Sequence, residues 1–346
     1  MSFMPRFWTT HIGSLPHTDS GDICERLAQT LDVPAWPQFP RRNFHESGYV
    51  QFSASLPAVI VDNEKQKISF DTRGNQVTAF ENFYGHYLAD NVEAFGLTPA
   101  YAEGFFAMLD VLRQTPGEWA KGHVTGPISF GLMVTDQDAR PGLYNDLLAD
   151  AILKNAAMNA RWQIRQLRTV RSNVILFIDE PYMASVDSAF VSLTREQAAN
   201  MINQVVEAIH AEGGLAGMHC CAATDWSVPL GTQLDIINLD AYDYIKSLAR
   251  CPVEIRAFLD RGGAIAWGIV PNNKEIYDIT SEGIAYRLQA GFKLVSEKAA
   301  ERGIEILPEE LANHTLITPC CGLGPTTVEI AELVLEVLVQ TGKILK

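Results

Sequence analysis

Two clusters of soft ligands stand out in the chain. His219-Cys220-Cys221 closes an apolar run, Gly214 to Met218, and Cys320-Cys321 closes another, Thr315-Leu316-Ile317. His219 and Cys221 are two positions apart, so on an extended chain their side chains share one face. An imidazole and thiolates arriving from separate strand ends suit zinc, which takes four N, S or O ligands in a tetrahedron. Cysteine is also a small buried hydrophobe. Packing is therefore the expected role of Cys24 and Cys251, and of Cys220 and Cys320, which point away from the proposed ligand face. Carboxylates close two further apolar runs: Asp179-Glu180 follows Asn173 to Ile178, and Asp240 follows Leu234 to Leu239. A solvated strand end is the plain alternative for Asp179-Glu180, and turn chemistry is the alternative for Ser14 after Gly13. Glu46 lies in a polar loop with Arg41 and Arg42, where a surface ion pair is the competing expectation. His11, His123 and His314 near strand ends either line the same mouth or merely pack.

The elements that must position these groups alternate between short β-like runs and helical patterns, the rhythm of a parallel sheet with crossover helices. The strand candidates are Phe7 to Ser14, Val33 to Phe39, Gly122 to Pro127, Asn173 to Ile178, the Gly214 run, Leu234 to Leu239, Gly263 to Val270 and Thr315 to Thr318. Helical periodicity covers 19–31, 101–112, 143–170, 194–212 with Thr194 as its cap, the stretch from Asp240 to Asp260, and 327–340. Residues 57–80 break the rhythm. Apolar Ala58 to Val61, a polar turn at Asp62-Asn63-Glu64 and Ile68 to Phe70 predict an inserted β-hairpin. Eight strands with intervening helices predict an α/β fold, a single (β/α)8 TIM barrel over 1–346. Its active site would lie at the C-terminal ends of the strands, where the polar residues gather.

The 346 residues are 47% hydrophobic and 20% charged, an ordinary globular balance. Forty-one acidic residues against 27 basic ones give a formal charge of −14. No basic stripe relieves it, which disfavours nucleic-acid and anionic-membrane binding. The segment Met1 to Trp8 has no apolar core of the signal-peptide kind, and no stretch reaches the ~20 apolar residues of a membrane span. Six cysteines in so long a chain do not make a disulfide framework. The expectation is a cytoplasmic, thiol-reduced protein whose oligomeric state is not readable.

The motifs, taken in order, resemble the C-terminal catalytic domain of cobalamin-independent methionine synthase, within the wider uroporphyrinogen-decarboxylase-like barrel superfamily. Thr10-His11-Ile12-Gly13-Ser14 matches the family's opening Thr-x-Ile-Gly-Ser. Thr125-Gly126-Pro127, Asp179-Glu180-Pro181, His219-Cys220-Cys221 and Cys320-Cys321-Gly322-Leu323 follow in family order. The resemblance implies zinc ligands at His219, Cys221 and Cys321, with Asp240 where the family has glutamate. It implies contacts from Ser14, Asp179 and Glu46 to the amino-acid end of a thiol substrate, homocysteine. The family's second, N-terminal barrel is not matched in this sequence, and the family's histidine near the end of the seventh strand is replaced by Val270-Pro271-Asn272-Asn273. Both departures point away from folate and toward a methylated corrinoid (a methylcobamide), presented by a corrinoid protein, as methyl donor.

The chemistry so implied is a zinc-dependent transfer of a methyl group to a thiol sulfur, with Asp179, His219, Cys221 and Cys321 as the catalytic set. A free thiol, with a pKa near ~8.5, is mostly protonated at neutral pH, and a metal is what makes it a thiolate there. Three alternatives stay open. A metal-independent tetrapyrrole decarboxylase would need basic groups at the mouth, for which Arg41 and Arg42 are the only hint. A corrinoid:coenzyme M-type thiol methyltransferase would lack carboxylates for an amino group. A non-catalytic zinc-binding or corrinoid-handling protein would bind metal without turnover.

Overall fold

The structure is a computed structural model and describes residues 3–189 and 191–346; Met1, Ser2 and Phe190 lie outside the described residues. Seven strands form one curled parallel sheet: β1 (Trp8–Thr9), β4 (Trp119–Thr125), β5 (Asn173–Asp179), β6 (Leu215–Cys220), β7 (Ile236–Asp240), β8 (Ala264–Val270) and β9 (Thr315–Pro319). They lie in the order β1-β9-β8-β7-β6-β5-β4. Between them, β2 (Val59–Asp62) and β3 (Lys67–Phe70) pair as a separate antiparallel hairpin. The inner strands are apolar and buried along nearly their whole length because helices cover one face and the curl of the sheet covers the other. The arrangement is that of a TIM-like barrel.

The expected second strand is where the barrel pattern departs from regularity. Val33 to Phe39 runs between the two sheet edges without forming a ladder. It touches them at isolated points, with Ala35 bridging Lys121 of β4 and Gln38 bridging Ser14. The Val33 N–H donates to Thr9 O and the Lys121 N–H to Pro34 O. Pro34 and Pro37 have no N–H, so alternate ladder bonds cannot form.

Other boundaries move for local reasons. The hairpin occupies 59–70, and Val77–Leu88 is helical rather than part of it. The stretch after Asp240 splits into helices Ala241–Leu248 and Pro252–Asp260, broken where Pro252 starts a new first turn. Ser281–Ala300 is a full helix that the periodicity reading passes over. At Thr194 the expected cap is part of a capping box with Gln197. No helix among the described residues is long and apolar enough to cross a membrane.

Alternate strand residues make a compact layer on the concave face, built from Val33, Ile175, Phe177, Ile236, Ala264, Ala266 and Leu316 over Trp8 and Trp119. Small residues opposite large ones keep it at native density. A Cβ on Gly217 would lie 2.2 Å from the Phe177 ring. A larger apolar layer fills the space between the sheet and the helices.

Outside the core, Glu212 accepts from Arg161 Nε at 2.8 Å and from Arg165 Nη2 at 2.8 Å. These bonds tie helix Asp146–Arg168 to the end of helix Arg195–Ala211. The hydrogen bond from Arg165 leads in holding the Glu212 carboxyl below its ordinary range, against burial. A depressed carboxyl stabilises the fold above its unfolded pKa and loses that contribution as pH falls through the folded value. Glu212→Gln is expected to cost up to about 1 kcal/mol at neutral pH, and the difference should vanish well below about pH 4. Denaturant titrations of both proteins across that range check it.

Candidate metal centre

The C-terminal ends of β6 and β9 converge at one point. His219 and Cys221 come from the end of β6 and the residue after it, and Cys321 from the turn following β9. One ligand atom from each of the three lies within 4.8 Å of the other two. His219 Nε2 and Cys321 Sγ are 3.6 Å apart. A tetrahedral zinc with Zn–S of about 2.3 Å and Zn–N of about 2.1 Å sets its N···S edge at about 3.6 Å. The donor set and its spacing therefore fit zinc without rearrangement of that pair.

The imidazole is aimed by β7. His219 Nδ1 bonds to Asn238 Oδ1, while Asn238 Nδ2 donates to Ala266 O at 2.7 Å and to Thr318 Oγ1 at 3.0 Å. With its amide held by β8 and β9, Asn238 presents an acceptor to Nδ1–H and leaves Nε2 as the ligand atom. Asn238→Ala is expected to weaken zinc binding roughly 10- to 100-fold while leaving the stoichiometry at saturation unchanged, measured by competition with a chelator of known affinity.

The two facing thiols titrate as a pair. The hydrogen bond from the Cys321 thiol leads in pushing Cys221 down to about 4, against burial and with further help from His219. The same bond pushes Cys321 up. Burial works against charge on His219, but its hydrogen bond to Cys221 and the nearby Cys221 and Asp179 charges outweigh it and raise its pKa. The cluster is thus built around a thiolate. Cys220 and Cys320 differ: both are buried, Cys320 Sγ donates to Gly268 O at 3.4 Å, and burial pushes Cys220 up to about 12. They stay neutral.

Asp179 ends β5 directly beside His219 in register. Its residue is partly open to solvent, yet its Oδ1 is enclosed with no hydrogen-bond partner. Burial raises the carboxyl to about 6, offset by His219 and Lys121. Glu180, fully buried, turns the other way. It accepts from the N–H groups of Ile128 and Ser129 and from Ser129 Oγ, which fixes helix Pro127–Met133 against β5.

Other residues expected at the site are committed elsewhere. Asp240 does not join the cluster. Its carboxylate accepts from Asp243 N at 3.0 Å as the cap of the next helix and faces the Cys320 thiol. Aspartate is a preferred N-cap, and that bond turns the carboxylate to the helix instead of the cluster. Glu46 is buried, with Arg42 Nη1 at 2.6 Å and Phe39 N at 3.3 Å occupying its two oxygens. The ion pair foreseen for it exists and joins the buried carboxylate to an exposed arginine. Ser14 meets the Cys321 turn: its Oγ accepts from Gly324 N at 3.2 Å and its carbonyl from Leu323 N at 2.8 Å. Asn272, where the resemblance lacks its histidine, donates to Gly322 O at 3.3 Å. His11 donates from Nε2 to Ala35 O at 3.0 Å, and His123 stacks on Trp36 with ring centres 3.9 Å apart. Burial holds both rings neutral.

Three functional neighbours escape the sequence reading. Asn238 could have been flagged as the one amide inside the apolar run Ile236 to Leu239. Tyr49, whose phenol lies within electrostatic reach of Tyr182, Glu180, Asp179 and Cys221 and is held protonated chiefly by burial, carries no local signal. Lys121 is the third.

No family model matches the sequence, and no curated protein is significantly similar to it. Among solved structures, the chain is similar to a B12-independent methionine synthase from Shewanella sp. W3-18-1 in complex with selenomethionine. The match covers 97% of this chain and 96% of that one, with a TM-score of 0.56 and 15% sequence identity. At that identity the likeness establishes the fold.

Proposed function

We propose that the chain is a zinc-dependent methyltransferase that methylates a thiol sulfur, converting homocysteine to methionine with a methylated corrinoid as donor. The observation that carries this reading is the three-donor set His219, Cys221 and Cys321, converging at zinc-like spacing beside a carboxylate whose enclosed oxygen has no partner. Three protein donors leave one of four tetrahedral positions for a substrate atom, the pattern of a catalytic rather than a structural zinc. Zinc held there would supply the Lewis acidity that keeps a substrate sulfur deprotonated at neutral pH. The chain's own residues do the rest. Asn238 fixes the imidazole, the two cysteines contribute negative charge that keeps a sulfur electron-rich, and Asp179 offers its free oxygen to the substrate's ammonium group. Holding the amino end in this way points the thiol at the metal.

Two observations favour this over the other readings. Arg41 donates to the carbonyls of Gly324 and Pro325, and Arg42 is paired with Glu46, so neither arginine is free to gather the carboxylates of a tetrapyrrole. A carrier thiol bearing a sulfonate would meet the negative charge of Asp179, whereas an amino-acid thiol brings a cation to it. The selenomethionine held by the structural neighbour is the selenium analogue of the proposed product. That neighbour is described as B12-independent, so the donor is decided by assay. Zinc-loaded protein is incubated with homocysteine and either methylcobalamin or a methylated folate. Methionine from methylcobalamin, lost on chelation, is expected. Methionine from the folate alone would replace the donor, and none from either would overturn thiol methylation. A corrinoid protein as partner and a cytoplasmic location belong to the same proposal.

A further inference from the structure

Cys321 is not on a strand, so the turn that carries it needs its own support. That turn leans on Ser14, which accepts from the N–H groups of Leu323 and Gly324. The fit is close: a Cβ on Gly322 would lie 2.2 Å from Ser14 Oγ. The Ser14 segment is itself irregular, since β1 ends at Thr9. Lys121 holds it from below. This lysine projects from β4, is fully buried, and donates from Nζ to His11 O at 3.0 Å and Ile12 O at 2.7 Å. Its ammonium also lies 4.4 Å from the centre of the Phe177 ring. A buried ammonium is costly unless its hydrogen bonds are made, and these carbonyls make two of them. Hydrogen bonds from a charged donor are also the stronger kind, suited to fixing an irregular backbone.

We propose that Lys121 is a positioning residue for the metal centre, its ammonium fixing Thr10 to Ser14 and, through Ser14, the turn that sets Cys321 opposite His219. The inference rests on the zinc reading above, and its test separates the two. In metal-free protein, Lys121→Met is expected to speed hydrogen exchange at the Leu323 and Gly324 amides at least tenfold, while amides of helix Val328–Leu345 keep their protection. Zinc affinity, measured by chelator competition, should fall roughly 10- to 100-fold, as for loss of an outer-shell partner. Lys121→Gln, which retains N–H donors, should recover part of both. Wild-type zinc affinity in Lys121→Met together with unchanged Leu323 and Gly324 exchange would overturn the proposal. A wild type that binds no zinc would defeat the zinc reading, while the exchange data would still decide whether Lys121 supports the turn. Should Lys121→Met fail to fold, Ser14→Ala removes the Oγ bond to Gly324 and leaves the carbonyl bond to Leu323 and the lysine in place. It should speed exchange at the Gly324 amide and lower zinc affinity in the same direction, and no change in either would overturn the chain of support.

Discussion

Cys321→Ser is expected to abolish stoichiometric zinc binding, and His219→Ala to do the same. Each removes one of three converging donors, leaving two where three protein ligands are the rule for a catalytic zinc. The loss should exceed the roughly 10- to 100-fold cost of removing an outer-shell partner, because the donor itself is gone. The fold should survive, since Cys321 sits half-buried in a turn rather than in a strand. Cys320→Ala is the matched control. Its thiol packs against Gly268 O on the other side and should leave zinc content at one per chain. Metal analysis after dialysis, with thermal unfolding alongside, checks all three. Full zinc in either ligand variant would mean that the metal sits elsewhere.

Asp179→Asn is expected to raise the KM for homocysteine roughly 10- to 100-fold with zinc content unchanged. Asp179 Oδ1 is enclosed and unpartnered, a state that costs free energy until a donor fills it. An ammonium group arriving there makes a hydrogen bond between charged groups, worth about 1.5–3 kcal/mol, or one to two decades in affinity. The amide keeps the shape and loses the charge. A thiol of the same length without the amino group should be a poor substrate for the wild type and indifferent to the substitution. Steady-state kinetics on both thiols resolve the point, and equal sensitivity of the two would exclude Asp179 as the amino anchor.

Much of this arrangement is legible in the sequence where type and spacing act locally. His219 and Cys221 share a face because strand side chains alternate, and the apolar runs before them mark the strands. Alternation also explains why Cys220 packs instead. Legibility fails where a residue has a competing local use. Asp240 follows the inward register of Ile236 and Asn238, yet capping the next helix claims its carboxylate. Val33 to Phe39 has the composition of a strand, but its prolines remove the donors a ladder requires. Lys121 was hidden by a boundary. Starting the strand at Gly122 leaves the lysine outside, whereas β4 begins at Trp119 and turns it inward. The links from Lys121 to Ile12 and from Ser14 to Gly324 join positions far apart in sequence, which no local pattern encodes.

A zinc held by His219, Cys221 and Cys321 is expected to keep one position for the sulfur of the proposed substrate. X-ray absorption at the zinc edge, with and without homocysteine, addresses it most directly. Two sulfur scatterers and one imidazole are expected in the free protein, from the three converging side chains, and a third sulfur near about 2.3 Å once homocysteine is added. A sulfur count that stays at two with saturating homocysteine would contradict it.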